Sequence, residues 1–196
     1  DTFPYRDKNL KILTVQEVLE KYPNMRFNMD IKDKDVKQPA VLAQKLKDLG
    51  AEKRVQVGSF HQKQINAFRK LSKSPTSAGP IETWKFVRKA KKWIKKNSKH
   101  IKHDNPIENQ YRAQETWEKQ QKKIFGHTLP YVSLTIPMGF PLNKFDPWWH
   151  FVTPEIIKFS HMVGIAVFVW TINQKQHMET LIDWNIDGIF TDKPGL

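Results

Sequence analysis

The chain has 196 residues, 39% hydrophobic and 12% aromatic, which suits one packed domain rather than a disordered chain. The absence of cysteine excludes disulfide staples, cysteine nucleophiles and thiolate metal sites, so any metal is expected to be a hard ion held by oxygen, and the net charge of +13 attracts anionic partners. No apolar run is long enough to cross a bilayer, and the opening residues DTFPYR carry no apolar signal segment.

In chain order, Thr14 to Tyr22 reads as a helix, with Thr14 as N-cap and Glu17 completing a capping box. Pro23 and Asn24 end it. Arg26 to Lys32 (RFNMDIK) alternates as a strand, with Phe27, Met29 and Ile31 on one face and Asn28, Asp30 and Lys32 on the other. Pro39 to Leu49 is an amphipathic helix closed by Gly50. Arg54 to Phe60 is the next strand and Gln62 to Leu71 the next helix. Pro75 to Pro80 is a short strand candidate. Residues 81–130 break the rhythm and read as a helical insertion: a basic helix, a polar stretch and a second helical pattern from Tyr111 to Ile124. Tyr131 to Pro137 is a strand. Thr153 caps a helix from Pro154 to Val163, closed by Gly164. Ile165 to Ile172 is almost continuously apolar, as expected of a strand buried on both faces. A helix from Gln174 to Trp184 and a strand from Ile186 to Thr191 complete the chain.

Strands alternating with helices of this length point to a parallel α/β sheet with crossover helices. Six strand candidates fit an open doubly wound sheet as they stand. A closed barrel of eight needs two more.

Asp30 and Lys32 are the sharpest candidate pair. They share the polar face of an otherwise apolar strand, near the end that forms the active face of a parallel barrel. A carboxylate there can hold a divalent cation, and an ammonium group beside it can pair with a phosphate. Spacing alone is equally met by a solvent-exposed ion pair. Ser59 and Trp170 end two other strands, as substrate-contact candidates or as a turn residue and a rim residue. Asn173 and Asp192 follow the last two strands. His61 alone among the histidines adjoins a predicted active-face strand end. The run from His103 to Asn109 (HDNPIEN) has catalytic letters but no strand before it, and reads as loop. From Lys85 to Lys102 there are nine Lys or Arg and no acid. Phe86, Val87, Ala90, Trp93 and Ile94 form an apolar stripe on that helix. It suits an anionic membrane surface or packing on the domain's own wall; no nucleic acid is expected.

Taken together, FPYR (3–6), ILTVQEVLEKYPNMRFNMDIK (12–32), RVQVGSF (54–60), VFVWTIN (167–173) and IDGIFTDKP (186–194) resemble, in order and spacing, the glycerophosphodiester phosphodiesterase family. The resemblance covers nearly everything outside residues 81–130. It implies a (β/α)8 TIM barrel, of which this chain carries about six strands as the C-terminal portion. It implies hydrolysis of glycerophosphodiesters to an alcohol and glycerol 3-phosphate with a divalent cation, Mg²⁺ or Ca²⁺. The acid of the family's E-x-K motif falls on Asp30 as a metal ligand and its lysine on Lys32 as the catalytic phosphate contact. The tryptophan of W-T-x-N falls on Trp170, lining the pocket. The family's H-R-G, E-N-T and His-Asp motifs, which supply the acid–base histidines, have no counterpart in position. The expectation is therefore that these 196 residues alone are inactive. The competing expectation is a catalytically dead protein of the same fold that binds a membrane surface or polyanion.

Overall fold

The computed structural model describes residues 11–97, 114–137 and 151–195. Residues 3–6 and the run from His103 to Asn109 lie outside these, as do Lys99 and Lys102 of the basic stretch.

Seven helices and five strands are described: α1 (Val15–Lys21), β1 (Phe27–Asp30), α2 (Gln38–Asp48), β2 (Val55–Gly58), α3 (Gln62–Arg69), α4 (Pro80–Asn97), α5 (Gln114–Phe125), β3 (Ser133–Pro137), α6 (Pro154–Met162), β4 (Ala166–Trp170), α7 (Lys175–Asp183) and β5 (Gly188–Ile189). The predicted caps hold. Thr14 Oγ1 accepts from the Glu17 N–H, and Glu17 Oε2 accepts from the Thr14 N–H. Thr153 accepts from Ile156 N–H, with Pro154 opening α6.

All pairings are parallel, β1 with β2 and β4 with both β3 and β5 in the order β3-β4-β5. Of residues 75–80, predicted as a short strand, only Thr76 and Ser77 form bridges, Val57 to Thr76 and Ser77 to Ser133, and Pro80 already opens α4. Those bridges join the two groups of strands into one array. Each strand neighbours the next in sequence, without the reversal that an open doubly wound sheet has at its switch point. The array is therefore an arc of a barrel, α/β throughout.

The last predicted strand contracts to two paired residues, and Ile172 and Phe190 continue its contact by one hydrogen bond of 2.9 Å. β4 also differs from expectation. Val167 and Val169 are fully buried, while Ala166, Phe168 and Trp170 are only partly covered. The reason is that these three face the inside of the arc, and only the outer wall is roofed by helices.

The apolar core lies in two clusters between wall and helices. One gathers Leu19, Ala43, Leu46, Ile65 and Phe68 over Val55, Val57 and the Phe27–Met29–Ile31 face of β1. The other gathers Phe86, Val87, Ile124, Ile157, Phe159 and Leu181 over Leu134, Ile136, Val167 and Val169. The sequence pattern of α4 resolves here. Phe86, Val87 and Ala90 are buried in the second cluster, and Trp93 and Ile94 pack against it. That apolar stripe is consumed by the barrel wall, so it is not the surface that meets a membrane. Residues 80–97 thus serve as the crossover helix between residues 75–78 and β3.

Glycines set how closely the strands can pack inside. A Cβ on Gly58 would stand 2.7 Å from Ser77 Oγ, and one on Gly188 would stand 2.4 Å from the Phe168 ring. Larger residues there would push the neighbouring strand away.

The 75–78 segment makes two backbone hydrogen bonds to each side and is held further by side chains. Arg69 donates to Thr76 Oγ1 and the Ser77 carbonyl, and makes a two-point ion pair with Glu82 at 2.7 and 3.0 Å. Glu82 Oε2 also accepts from the Gly79 N–H. Burial alone would raise the Glu82 pKa, but the hydrogen bonds from Arg69 and Gly79 and the Arg69 charge outweigh it and hold the carboxyl below its ordinary range. Arg69→Ala would leave a largely buried carboxylate unpaired, with an expected loss of about 3–5 kcal/mol in urea unfolding. Because the folded carboxyl has the lower pKa, the stability it contributes is present above its unfolded pKa. It fades as pH falls through the folded one. The gap in melting temperature between wild type and Glu82→Gln should therefore narrow on acidification, and a gap independent of pH would contradict the clamp.

Candidate active site at the strand ends

The C-terminal ends of the parallel strands converge on one mouth, and their inward side chains are polar at β1, β2 and β3. Gln56 Nε2 donates to Asn28 Oδ1 across the first two strands. One step further along, Asp30 and Lys32 form an ion pair of 2.5 Å, Asp30 30% and Lys32 75% exposed. β1 places them: its alternation sends Phe27 and Met29 to the core and leaves Asn28 and Asp30 toward the interior. Ile31 N–H donates to the Gly58 carbonyl, so pairing with β2 persists to the residue before Lys32.

Lys32 Nζ lies 5.1 Å from the centroid of the Phe60 ring. Phe60 in turn meets Trp170 edge to face, with centroids 5.4 Å apart. The ends of β1, β2 and β4 are thus connected across the mouth in the order Asp30, Lys32, Phe60, Trp170. Trp170 is partly covered and Phe60 half exposed. A cleft of about 460 Å³ opens beside the pair, with Asp30, Lys32 and Asp33 on its polar edge and Leu13, Val15, Val18, Met29 and Leu42 on its apolar side. A second concavity of about 520 Å³ runs along α2 alone, past Ala40, Val41 and Gln44, and contains no strand-end residue.

Ser59 lies at the mouth, but its hydroxyl is already engaged. It donates to the Ile31 carbonyl at 2.7 Å and accepts from the His61 N–H at 3.0 Å. It pins the backbone that carries Lys32. His61 stands at the start of α3, its side chain making no cap hydrogen bond. Asn173 fastens the last two strand ends: its Oδ1 accepts from the Asp192 N–H and the Thr191 hydroxyl, and its Nδ2 donates to Asp192. Trp170 therefore projects from a fixed rim. His161 pairs with Asp187 at 2.7 Å, where α6 ends and β5 is approached, on the barrel's other face.

No group of three or more His, Asp or Glu arranged to hold a metal occurs among the described residues. Asp30 brings one carboxylate, whereas a hard divalent cation takes six or more oxygen ligands. The described residues do not by themselves make a cation site.

Phe60 was within reach of the sequence but carried no assignment. An aromatic residue directly after an apolar strand, just before a helix, reads as the end of the core. Its value lies in touching both Lys32 and Trp170, which are far from it in sequence.

The sequence profile of the Glycerophosphoryl diester phosphodiesterase family matches residues 1–196. A Mycobacterium tuberculosis protein named Probable glycerophosphodiester phosphodiesterase 2 is 26% identical over 189 residues, which cover 94% of this chain and 58% of that protein. The chain thus spans little more than half the length of this curated relative. Two solved structures share the fold. A glycerophosphodiester phosphodiesterase from Parabacteroides distasonis superposes with a TM-score of 0.54 at 19% identity, covering 89% of this chain and 56% of that one. A candidate glycerophosphodiester phosphodiesterase from Galdieria sulphuraria gives 0.55 at 13% identity, covering 99% and 68%.

The Ser59 contacts distinguish two roles. A hydroxyl that only touched substrate would leave stability untouched when removed. Ser59→Ala is instead expected to cost about 1 kcal/mol in urea unfolding, from the lost bond to Ile31. An unchanged unfolding midpoint would restore the direct-contact role.

Proposed function

The chain belongs to the glycerophosphoryl diester phosphodiesterase family, and on that premise we propose that it forms the phosphate-holding side of an enzyme that hydrolyses glycerophosphodiesters to an alcohol and glycerol 3-phosphate. The observation that carries this reading is the placement of Asp30 and Lys32 side by side at the β1 end, faced across the mouth by Phe60 and Trp170.

Lys32 would neutralise charge on the phosphate oxygens as it builds toward the transition state. Its ammonium group is mostly exposed, and its ion pair with Asp30 is of the solvent-screened kind that contributes little to folding. An arriving phosphate can therefore compete for it. Trp170, with its edge contact to Phe60, would form an apolar wall for the glycerol or alcohol moiety. Ser59 would act on the substrate through Lys32, by fixing Ile31.

Asp30 would give one carboxylate to a divalent cation, Mg²⁺ or Ca²⁺, and such an ion would need further oxygen ligands than the described residues bring. Cleavage also needs a proton for the leaving alkoxide. None of the described side chains in contact with Lys32 or Trp170 is a proton donor suited to that step. We therefore expect the described residues alone to hold substrate without turning it over. The second partner we infer is an anionic lipid surface, and it rests on other residues, those on the outer face of α4.

The test is release of glycerol 3-phosphate from glycerophosphocholine by the full-length protein, with and without added Mg²⁺ or Ca²⁺. Lys32→Met is expected to lower kcat/KM by roughly 10²–10³. Trp170→Ala is expected to act mainly on KM, and Asp30→Asn to raise the metal concentration needed for half activity. Full activity in Lys32→Met would overturn the assignment. Absence of turnover with every divalent ion would leave a binding protein on this fold.

A further inference from the structure

Among the described residues, the outer face of α4 has no acid to balance it. Glu82 is the one acidic residue of that helix, and Arg69 engages both its carboxylate oxygens. With Phe86, Val87 and Ala90 turned into the core, the opposite side presents Ile81, Trp84, Arg88, Lys92 and Lys95 along one ridge. Lys85, Lys89 and Lys96 flank it, all exposed. No ion pair joins any of these cations to a described residue. Ile81 is 54% and Trp84 48% exposed, at the end of the helix that follows the strand terminus at residue 78. The helix is about 27 Å long at 1.5 Å per residue, so its cations run from the mouth end down the barrel flank.

We propose that this ridge is a docking surface for an anionic lipid bilayer, with Trp84 and Ile81 seated at the headgroup level and the lysines against lipid phosphates. A bilayer fits better than a nucleic acid on two counts. Ile81 offers an aliphatic contact with no role against phosphates or bases. One face of the Trp84 ring is covered by the Arg88 guanidinium at 4.8 Å, which removes a stacking surface for a base. An indole under an arginine at a wet interface is the arrangement expected where an apolar ring and a snorkelling cation share a boundary. Docking this flank would bring the mouth, with Asp30, Lys32 and Trp170, to the membrane surface, where lipid-derived phosphodiesters are concentrated. The surface itself does not depend on the hydrolysis reading.

The experiment is co-sedimentation of the full-length protein with vesicles of phosphatidylcholine alone or enriched in phosphatidylglycerol. Binding is expected only to the anionic vesicles and to weaken with salt. A Lys85→Gln, Lys92→Gln, Lys95→Gln variant is expected to lose roughly a hundredfold in partitioning, since each lysine near such a surface is worth about fivefold. These side chains are exposed, so an unchanged melting temperature confirms that the fold is intact. Trp84→Ala should weaken vesicle binding while leaving heparin binding unchanged, and Trp84→Phe should restore part of it. Equal binding to both vesicle types would overturn the proposal. So would retention of anionic binding by the triple variant, or a duplex RNA bound as tightly as anionic vesicles with no effect of Trp84→Ala.

Discussion

The Arg69 guanidinium holds the arc together. Between β2 and β3 the sheet narrows to residues 75–78, which form one bridge to each side through four backbone hydrogen bonds. Arg69 reinforces that short ladder with bonds to Thr76 and Ser77 and a forked pair to Glu82, in the first turn of the next helix. One side chain from α3 thereby sets the position of residues 75–78 and the entry of α4. Thr76 adds a bond from its hydroxyl to the Pro130 carbonyl, so the same segment also anchors the start of the β3 region. Without that clamp the two core clusters, one under α1 to α3 and the other under α4 to α7, would be aligned by the backbone bonds of residues 75–78 alone. The mouth needs that alignment, because Phe60 comes from the first half and Trp170 from the second.

Polar groups and apolar burial are divided between the two sides of the wall. The outer side chains of the strands, Val55, Val57, Leu134, Ile136, Val167 and Val169, are fully buried beneath helices. They supply the apolar burial that drives folding. The inner side chains include Asn28, Asp30, Gln56, Ser77 and Ser133, which a packing core would not select. A parallel strand sends alternate residues to opposite sides, so β1, β2 and β3 each set inward polar residues beside outward apolar neighbours. The strand-end positions inherit rigidity from the buried side while remaining open at the mouth.

Most of this was legible because it depends on local patterns. Caps at Thr14 and Thr153, the alternation of residues 26–32 and the crossover rhythm are properties of short windows, and the structure reproduces them. Asp30 and Lys32 were visible for the same reason: two charges on one face of an apolar strand stand out. What local pattern could not show was which surface an apolar stripe covers. The five residues of α4 that read equally as a membrane face or a wall-packing face became the latter, because Leu134, Ile136 and Phe159 offer them an apolar partner brought from far along the chain. The same limit applies to Ser59, whose partner Ile31 is 28 residues away, and to Phe60, whose neighbours come from two other strands. The choice between barrel and open sheet also required knowing which strands are neighbours, which alternation cannot encode.

Lys32 has the properties of a ligand-binding charge rather than a folding one. A buried ion pair at this position would resist opening, because separating it would leave a charge stranded in a low-dielectric interior. The Asp30–Lys32 pair is instead open to water on the lysine side, and exposed pairs of this kind are worth about 0–1 kcal/mol. Folding gains little from keeping it closed. The ammonium group is nevertheless not free to wander: Asp30 holds it at one side and the Phe60 ring at another, and Ser59 fixes the backbone beneath it. A cation held in place yet cheaply separated from its carboxylate can exchange that partner for a phosphate oxygen without reorganising the rim. On the proposed reading, the shared β1 face would turn two unremarkable surface charges into a preorganised anion contact.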